Sequence, residues 1–132
     1  MKAKNVIIGV VGTCGSGKSS LVAGLSELGY RAHHIAQEHS FAPNMWQRLT
    51  KPDVLIFLNV SYPITLQRKD FTWTLSEHKE QLFRLRHANQ HADLHIDTDD
   101  LTPDEVLRIV LSKLVHASTG KRLSHRRARR DR

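Results

Sequence analysis

The fold is decided near the N-terminus, in the stretch Val6-Ile7-Ile8-Gly9-Val10-Val11-Gly12-Thr13-Cys14-Gly15-Ser16-Gly17-Lys18-Ser19. Its first six residues form a continuous apolar run, which is typical of a strand buried on both faces. A glycine-rich loop follows. The apolar spacing after Lys18 then predicts an amphipathic helix to about Leu28, ended by Gly29. A strand, a loop and a helix in this order begin a βαβ unit.

The rest of the chain continues this alternation. Segments 30–36, 54–60 and 93–97 are predicted strands. Helices are expected within 76–90 and 102–116, and a helix or a turn begins in 63–69. In the helix of 76–90 we place Leu82 and Leu85 inward. Segment 41–49 is predicted to be irregular or a short helix, and Thr102 and Glu105 have the spacing of a capping box. The pattern predicts a three-layer α/β/α fold with a small parallel sheet of about four strands.

The charge divides the chain into two parts. Seven of the 20 Lys and Arg residues follow residue 120, together with only one of the 13 acidic residues. Residues 1–120 therefore carry a net charge of only +1 and are predicted to form one domain. Residues 121–132 carry +6 and almost no apolar surface, so we expect a basic tail that is disordered until it meets a partner.

The composition favours a cytoplasmic protein. No apolar run approaches the roughly 20 residues of a membrane span, and the N-terminal apolar run is too short for a signal peptide. The single cysteine, Cys14, excludes an internal disulfide framework and fits a reducing compartment.

The glycine-rich loop carries the chemistry. It matches the phosphate-loop pattern G-x-x-x-x-G-K-[ST] at every fixed position, between a predicted strand and a predicted helix. Such a loop brings backbone N–H groups to phosphate oxygens at a helix N-terminus. Lys18 is then expected to reach the β- and γ-phosphates of a nucleotide, and Ser19 to bind Mg²⁺. The predicted nucleotide-binding residues here are Gly12, Thr13, Cys14, Gly15, Ser16, Gly17, Lys18, Ser19 and Ser20.

The order of four segments resembles the P-loop nucleoside, nucleotide and small-molecule kinases, in a minimal, adenylate-kinase-like version. These segments are the glycine-rich loop, the strand 52–60, the Arg68-Lys69 pair and the strand 92–98. The resemblance covers about residues 5–116. It implies ATP with Mg²⁺ as the ligand and an arginine, Arg68 or less surely Lys69, that clamps the phosphates or the adenine. It also implies that the loop from Thr98 to Leu101 lies beside the base. No N-K-x-D segment follows a strand, which disfavours a GTPase, although GTP stays open as the nucleotide.

The sequence departs from these kinases in its acidic residue. The family usually has a carboxylate at the end of the strand beside the phosphate loop, where it holds Mg²⁺ through water or takes a proton. Here that strand ends in Asn59. The substitute that the resemblance implies is Glu38, after the second strand, with Asp53 and Asp97 as weaker candidates. A solvated loop carboxylate is an equal interpretation of Glu38.

The second departure is size, because only 13 residues separate Glu38 from Pro52. This leaves little material for positioning an acceptor and excluding water. The protein is therefore either a phosphotransferase for a small acceptor lined by Phe41, Trp46 and Arg48, with Lys18, Glu38 and Arg68 as its catalytic residues, or a nucleotide-dependent regulatory protein that hydrolyses slowly or not at all.

Weaker signals lie outside the loop. His87, His91 and His95 form one group of histidines and His33, His34 and His39 another, but no cysteine or close carboxylate completes a metal-binding set. Histidines are common on exposed helix surfaces, which we favour here over a metal site, and we interpret the tryptophans as more typical of a core than of a base-stacking site and Cys14 as a tolerated small residue. Residues 121–132 could bind a nucleic acid or another acidic partner by counterion release, or serve only as a solubilising end.

Overall fold

The computed structural model describes residues 5–68 and 72–118 of the chain. Four strands form one all-parallel sheet: β1 (Ile7–Gly12), β2 (Arg31–His34), β3 (Val54–Asn59) and β4 (Leu94–Asp97). Their order across the sheet is β2-β1-β3-β4. The chain therefore moves to one side of β1 and then returns to the other side, and the carboxyl edge of a parallel sheet forms a crevice at such a reversal.

The described residues also form six α-helices. They are α1 (Lys18–Glu27), α2 (Met45–Leu49), α3 (Tyr62–Arg68), α4 (Leu75–Arg84), α5 (Arg86–His91) and α6 (Pro103–Ser118). The predicted capping box begins α6, because Glu105 N donates to Thr102 Oγ1 at 3.2 Å and Thr102 N donates to Glu105 Oε1 at 2.8 Å. Within the described ranges, no helix is long and apolar enough to cross a membrane.

Alternate residues along the strands place their side chains in two hydrophobic cores, one on each face of the sheet. Ile8, Val10 and Ile56 belong to the core that α1 and α6 cover, through residues such as Leu25 and Val110. The opposite core contains Val11, Leu55, Phe57, Trp46, Leu85 and Ala88, the last three contributed by α2, the α4–α5 junction and α5. The architecture is thus α/β and compatible with three layers, as the alternation predicts.

The helix predicted over 76–90 is two helices, and its inward face was predicted only in part. Leu85 stands between α4 and α5 and is fully buried, as expected, but Leu82 remains 36% exposed. The buried residues of α4 are instead His78 and Gln81. Apolar spacing alone places leucines inward, whereas α4 turns a polar side toward the glycine-rich loop.

Candidate functional site

The glycine-rich loop, residues 12–19, joins β1 to α1. Gly15 and Gly17 have positive φ angles of 85° and 98°, a region that glycine enters without the cost of a Cβ atom. Gly17 is the N-cap of α1, and no side chain among the described residues caps it. The first N–H groups of α1, from Lys18 to Ser20, therefore lack intrahelical partners. They combine with the positive end of the helix dipole to favour an anion.

This helix start lies in a cleft of about 680 Å³. The volume falls within the roughly 300–1,000 Å³ of small-molecule sites. Every residue from Cys14 to Ser20 lines the cleft, and so do Arg68 and Thr98. Gly12 and Thr13, the other two predicted nucleotide-binding residues, are buried and do not line it.

Lys18 forms a buried ion pair in the wall of the cleft. Its Nζ lies 3.1 Å from Glu38 Oε2, and the two side chains are 6% and 3% exposed. The same Nζ donates to the carbonyl oxygens of Gly12 at 2.8 Å and Thr13 at 3.0 Å. Lys18 therefore lines the cleft while its ammonium group is bonded to its own loop and paired with Glu38.

Three buried oxygens of the site have no hydrogen-bond partner within the described part of the chain. They are Glu38 Oε1 and the hydroxyl oxygens of Thr13 and Ser16. A buried polar atom without a partner costs about 1–3 kcal/mol, so such atoms are satisfied by a ligand, an ion or water where one can reach them. The site thus has oxygen atoms available to accept hydrogen bonds or bind a cation, close to the N–H donors at the start of α1.

The pairing of β2 with β1 delivers Glu38 to the cleft. After β2, Ile35 N still donates to Val10 O at 3.0 Å, and the 3₁₀ turn Gln37–His39 follows directly. Asn59, which ends the neighbouring strand β3, donates from its side chain to Asp97 Oδ1 at 3.0 Å. Because β1 has neighbours on both sides, an acidic residue can reach the loop from β2 when β3 lacks one.

The other two carboxylates do not take this place. Asp53 precedes β3, and its Oδ2 accepts a hydrogen bond from Ile7 N at 2.8 Å, at the end of the sheet opposite the glycine-rich loop. Asp97 ends β4, and neither residue lines the cleft. The parallel direction of β1 and β3 explains the position of Asp53, because a residue before one strand lies level with the start of the other. The candidacy of Asp53 is therefore wrong in position, whereas Asp97 stands at the carboxyl edge of the sheet but outside the lining of the cleft.

Arg68 spans the two sides of the cleft. It ends α3, and its Nη1 donates to Gly15 O at 3.1 Å and to Thr98 Oγ1 at 3.0 Å, while Nη2 donates to the carbonyl oxygen of Thr98. Thr98 is buried, and Leu101 lines the cleft close by. The predicted clamp and the predicted base segment are thus in contact. Lys69 lies outside the described residues.

Gln81 and His34 reach the site without having been predicted there. Gln81 Oε1 accepts from Cys14 N at 2.9 Å, and Gln81 Nε2 donates to Cys14 Sγ at 3.3 Å. No sequence signal joins residues 67 positions apart. His34 lines the cleft, and its pKa is lowered by burial first and then by the positive charge of Lys18, against the opposing effect of Glu38.

The residues expected to line an acceptor site lie elsewhere. Trp46 is 5% exposed in the core, and its indole N–H donates to His87 Nδ1 at 3.1 Å. Phe41 is 84% exposed under the guanidinium of Arg84, and Arg48 is exposed. None of Phe41, Trp46 and Arg48 lines the cleft. Trp46 cannot line an acceptor site because the short segment after Glu38 packs it onto the sheet, and Phe41 and Arg48 lie outside this cleft.

The first histidine group contacts neighbouring rings and oxygens. The rings of His87 and His91 lie 4.3 Å apart beside Trp46, and His95 Nε2 contacts the oxygens of Asn89. The second group differs: His39 lies near a cysteine and a carboxylate.

No protein-family model matches the sequence, and no curated protein matches it either. The basic tail, residues 121–132, for which a nucleic acid or another acidic partner is predicted, lies outside the described residues.

Proposed function

We propose that the chain binds Mg·ATP in this cleft, as a minimal protein of the kinase-like P-loop class. The observation that carries the proposal is a convergence. The uncapped start of α1, the ammonium group of Lys18 and the segment at Thr98 all line one cleft of nucleotide size. A glycine-rich turn that binds no ligand would not explain why these three features line the same cleft.

The residues divide the work along the cleft. The N–H groups from Lys18 to Ser20 donate to phosphate oxygens. Lys18 exchanges the carbonyl oxygens of Gly12 and Thr13 for the β- and γ-phosphates, which are stronger acceptors because they are charged. Arg68 stands between the loop and Thr98, where it bridges the phosphates and the base. GTP remains open, since the described contacts do not distinguish the two bases.

The donor set fits Mg²⁺. The Ser19 hydroxyl and the Glu38 carboxylate are hard oxygen ligands on the same cleft, and Glu38 Oε1 is a buried acceptor without a partner among the described residues. In this proposal Ser19 contacts the ion directly and Glu38 through water. When bound, Mg²⁺ neutralises charge on the triphosphate.

Two fates of the γ-phosphate follow from the same site. Phosphoryl transfer to a small acceptor requires an acceptor site, with Glu38 as the group that takes the proton. A nucleotide-dependent switch requires only that binding draw Lys18 away from Glu38. The position of Trp46 in the core favours the switch, because the segment between Glu38 and Pro52 then builds no acceptor wall.

Calorimetric titration with Mg·ATP and Mg·GTP tests the binding proposal. Three proteins are compared: the wild type, Glu38→Gln, and the double variant Lys18→Met/Glu38→Gln, which removes the lysine without leaving a buried carboxylate unpaired. Glu38→Gln should keep its affinity within a few-fold. The double variant should bind about 10- to 150-fold more weakly, since a hydrogen bond to a charged group contributes about 1.5–3 kcal/mol. Equal affinity in all three proteins would reject the proposal.

Incubation of the protein with Mg·ATP and a pooled library of nucleosides and metabolites separates the two fates. A phosphorylated acceptor identifies a transferase, in which Glu38→Gln should lower turnover by about 10²-fold. Release of inorganic phosphate without an acceptor, or retention of intact ATP, identifies the switch. A Glu38→Gln variant as fast as the wild type would remove Glu38 from any proton transfer.

A further inference from the structure

We infer that Cys14, Glu38 and His39 form a zinc site in the wall of the cleft, a metal site that the proposed function does not include although it shares Glu38 with it. The ligand atoms are the sulfur of Cys14, a carboxylate oxygen of Glu38 and Nε2 of His39, and all three lie within 4.8 Å of one another. The sequence offered no such set, because Cys14 comes 24 positions before Glu38. The parallel pairing of β1 and β2 brings the ends of the two strands together.

The spacing is close to that of a bound ion. Ligands at 2.0–2.3 Å from a tetrahedral zinc ion lie about 3.3–3.6 Å from one another. His39 Nε2 is 3.9 Å from Cys14 Sγ and 3.6 Å from Glu38 Oε2. The sulfur of Cys14 and the carboxylate oxygen of Glu38 lie within 4.8 Å of each other, so a bound ion would draw the ligand atoms together by up to about 1 Å.

A second observation points to a ligand at the same place. Glu38 is 2% exposed, and within the described chain its Oε1 has no hydrogen-bond partner. A buried carboxylate that keeps one oxygen without a partner favours a further cation, which would either bind Oε1 after the carboxylate turns or share Oε2 with Lys18. Lys18 supplies one positive charge to Oε2 only, at 3.1 Å.

The surroundings suit a metal-bound thiolate. Gln81 Nε2 donates toward Cys14 Sγ at 3.3 Å, and Gln81 Oε1 holds the backbone N–H of Cys14. Such contacts behind a ligand orient it and typically account for 10–100-fold in metal affinity. The His39 side chain is 59% exposed and all three ligands line the cleft, so the ion has an open path from solvent.

The ligand types select the metal. Thiolate and imidazole favour Zn²⁺ over Mg²⁺, which prefers oxygen ligands. With three protein ligands, the fourth tetrahedral position opens to the cleft and takes a water or another ligand. The zinc site therefore differs from the proposed Mg·ATP site in its thiolate and imidazole ligands, and the two sites have Glu38 in common.

The test is a titration of the full chain with ZnCl₂ in the absence of nucleotide, which measures zinc affinity. The titration is repeated with CoCl₂ and followed by absorption spectroscopy. The variants are Cys14→Ser and His39→Ala, and the matched control is His33→Ala, another exposed histidine of the same region. We expect one tight site in the wild type and the control. We expect a loss of more than about 100-fold in each ligand variant, at least as large as that for a residue behind a ligand. The cobalt complex should show thiolate-to-metal charge transfer that Cys14→Ser abolishes.

The inference is overturned if the wild type binds no zinc stoichiometrically, if Cys14→Ser binds as tightly as the wild type, or if His33→Ala loses as much affinity as His39→Ala. His39 is exposed, so the His39→Ala protein should fold normally, and the test does not depend on Cys14→Ser alone. A separate Mg·ATP titration of His39→Ala should match the wild type. Failure of zinc binding would therefore leave the nucleotide proposal standing, and failure of nucleotide binding would leave the zinc site standing.

Discussion

The buried pair of Lys18 and Glu38 leads to a prediction about stability that is separate from nucleotide binding. We consider Lys18→Met, Glu38→Gln and the double variant. Lys18→Met keeps an apolar stem of similar length but leaves the Glu38 carboxylate 3% exposed, with Oε1 lacking any partner among the described residues. Glu38→Gln leaves an ammonium group that still donates to Gly12 O and Thr13 O.

These contacts give unequal losses. An uncompensated buried charge costs about 3–5 kcal/mol, so we expect Lys18→Met to lower the free energy of unfolding by that amount. Glu38→Gln and the double variant should each lose only about 1–2 kcal/mol, the contribution of one or two hydrogen bonds. Removing Glu38 from the Lys18→Met protein should therefore recover about 2–3 kcal/mol, so the losses of the two single variants should not add.

Urea unfolding followed by circular dichroism measures all four free energies, and thermal unfolding gives a parallel readout. For a chain of 132 residues, a loss of 3–5 kcal/mol lowers the Tm by roughly 10–20 °C. The reasoning is refuted if Lys18→Met is no less stable than Glu38→Gln, or if the two losses simply add.

Three further predictions concern other contacts. Gly12→Ala would place a Cβ 2.6 Å from the carbonyl oxygen of Leu58, so it should cost about 1–3 kcal/mol in urea unfolding, and a loss below about 0.5 kcal/mol would contradict the close approach. Arg68→Lys should weaken Mg·ATP about tenfold in calorimetry, because an ammonium group cannot span both Gly15 O and the Thr98 contacts; unchanged affinity would remove Arg68 from the clamp. Burial lowers the pKa of His78 below 6.5, so as the pH falls below 6.5 the unfolded chain binds a proton at this side chain before the folded chain does. Stability should thus fall as pH drops below 6.5, by at most about 1.4 kcal/mol per pH unit for this group, and His78→Phe should flatten the profile; a profile identical to that of the wild type would show that another group is responsible.

Local structure followed closely from the sequence. The apolar run before Gly12 is a central strand, the glycine-rich loop turns where Gly15 and Gly17 supply positive φ, and the capping box begins α6. Each of these depends on residues within about one turn or one strand of each other. Backbone preference and hydrogen bonding over that distance are enough to specify them.

The side-chain contacts between distant elements could not be predicted from the sequence. The inward placement of Leu82, the acceptor role of Trp46 and the candidacy of Asp53 are wrong, and each depended on which element packs where. Periodicity identifies a face of a helix but not the surface that this face meets. Gln81 turns inward in α4 because the N–H and sulfur of Cys14 offer it partners there, which no spacing in the sequence reveals.

The sequence by itself determined the alternation of strands and helices and a loop whose amides and lysine suit phosphate, since both depend on neighbouring residues. The strand order decided the rest. By pairing β2 with β1, the tertiary structure placed Glu38 against Lys18 and His39 against Cys14, at 3.1 Å and 3.9 Å. Residues 20 or more positions apart meet only when long-range burial of apolar faces offsets the entropy of closing the chain between them, and that balance belongs to the whole fold.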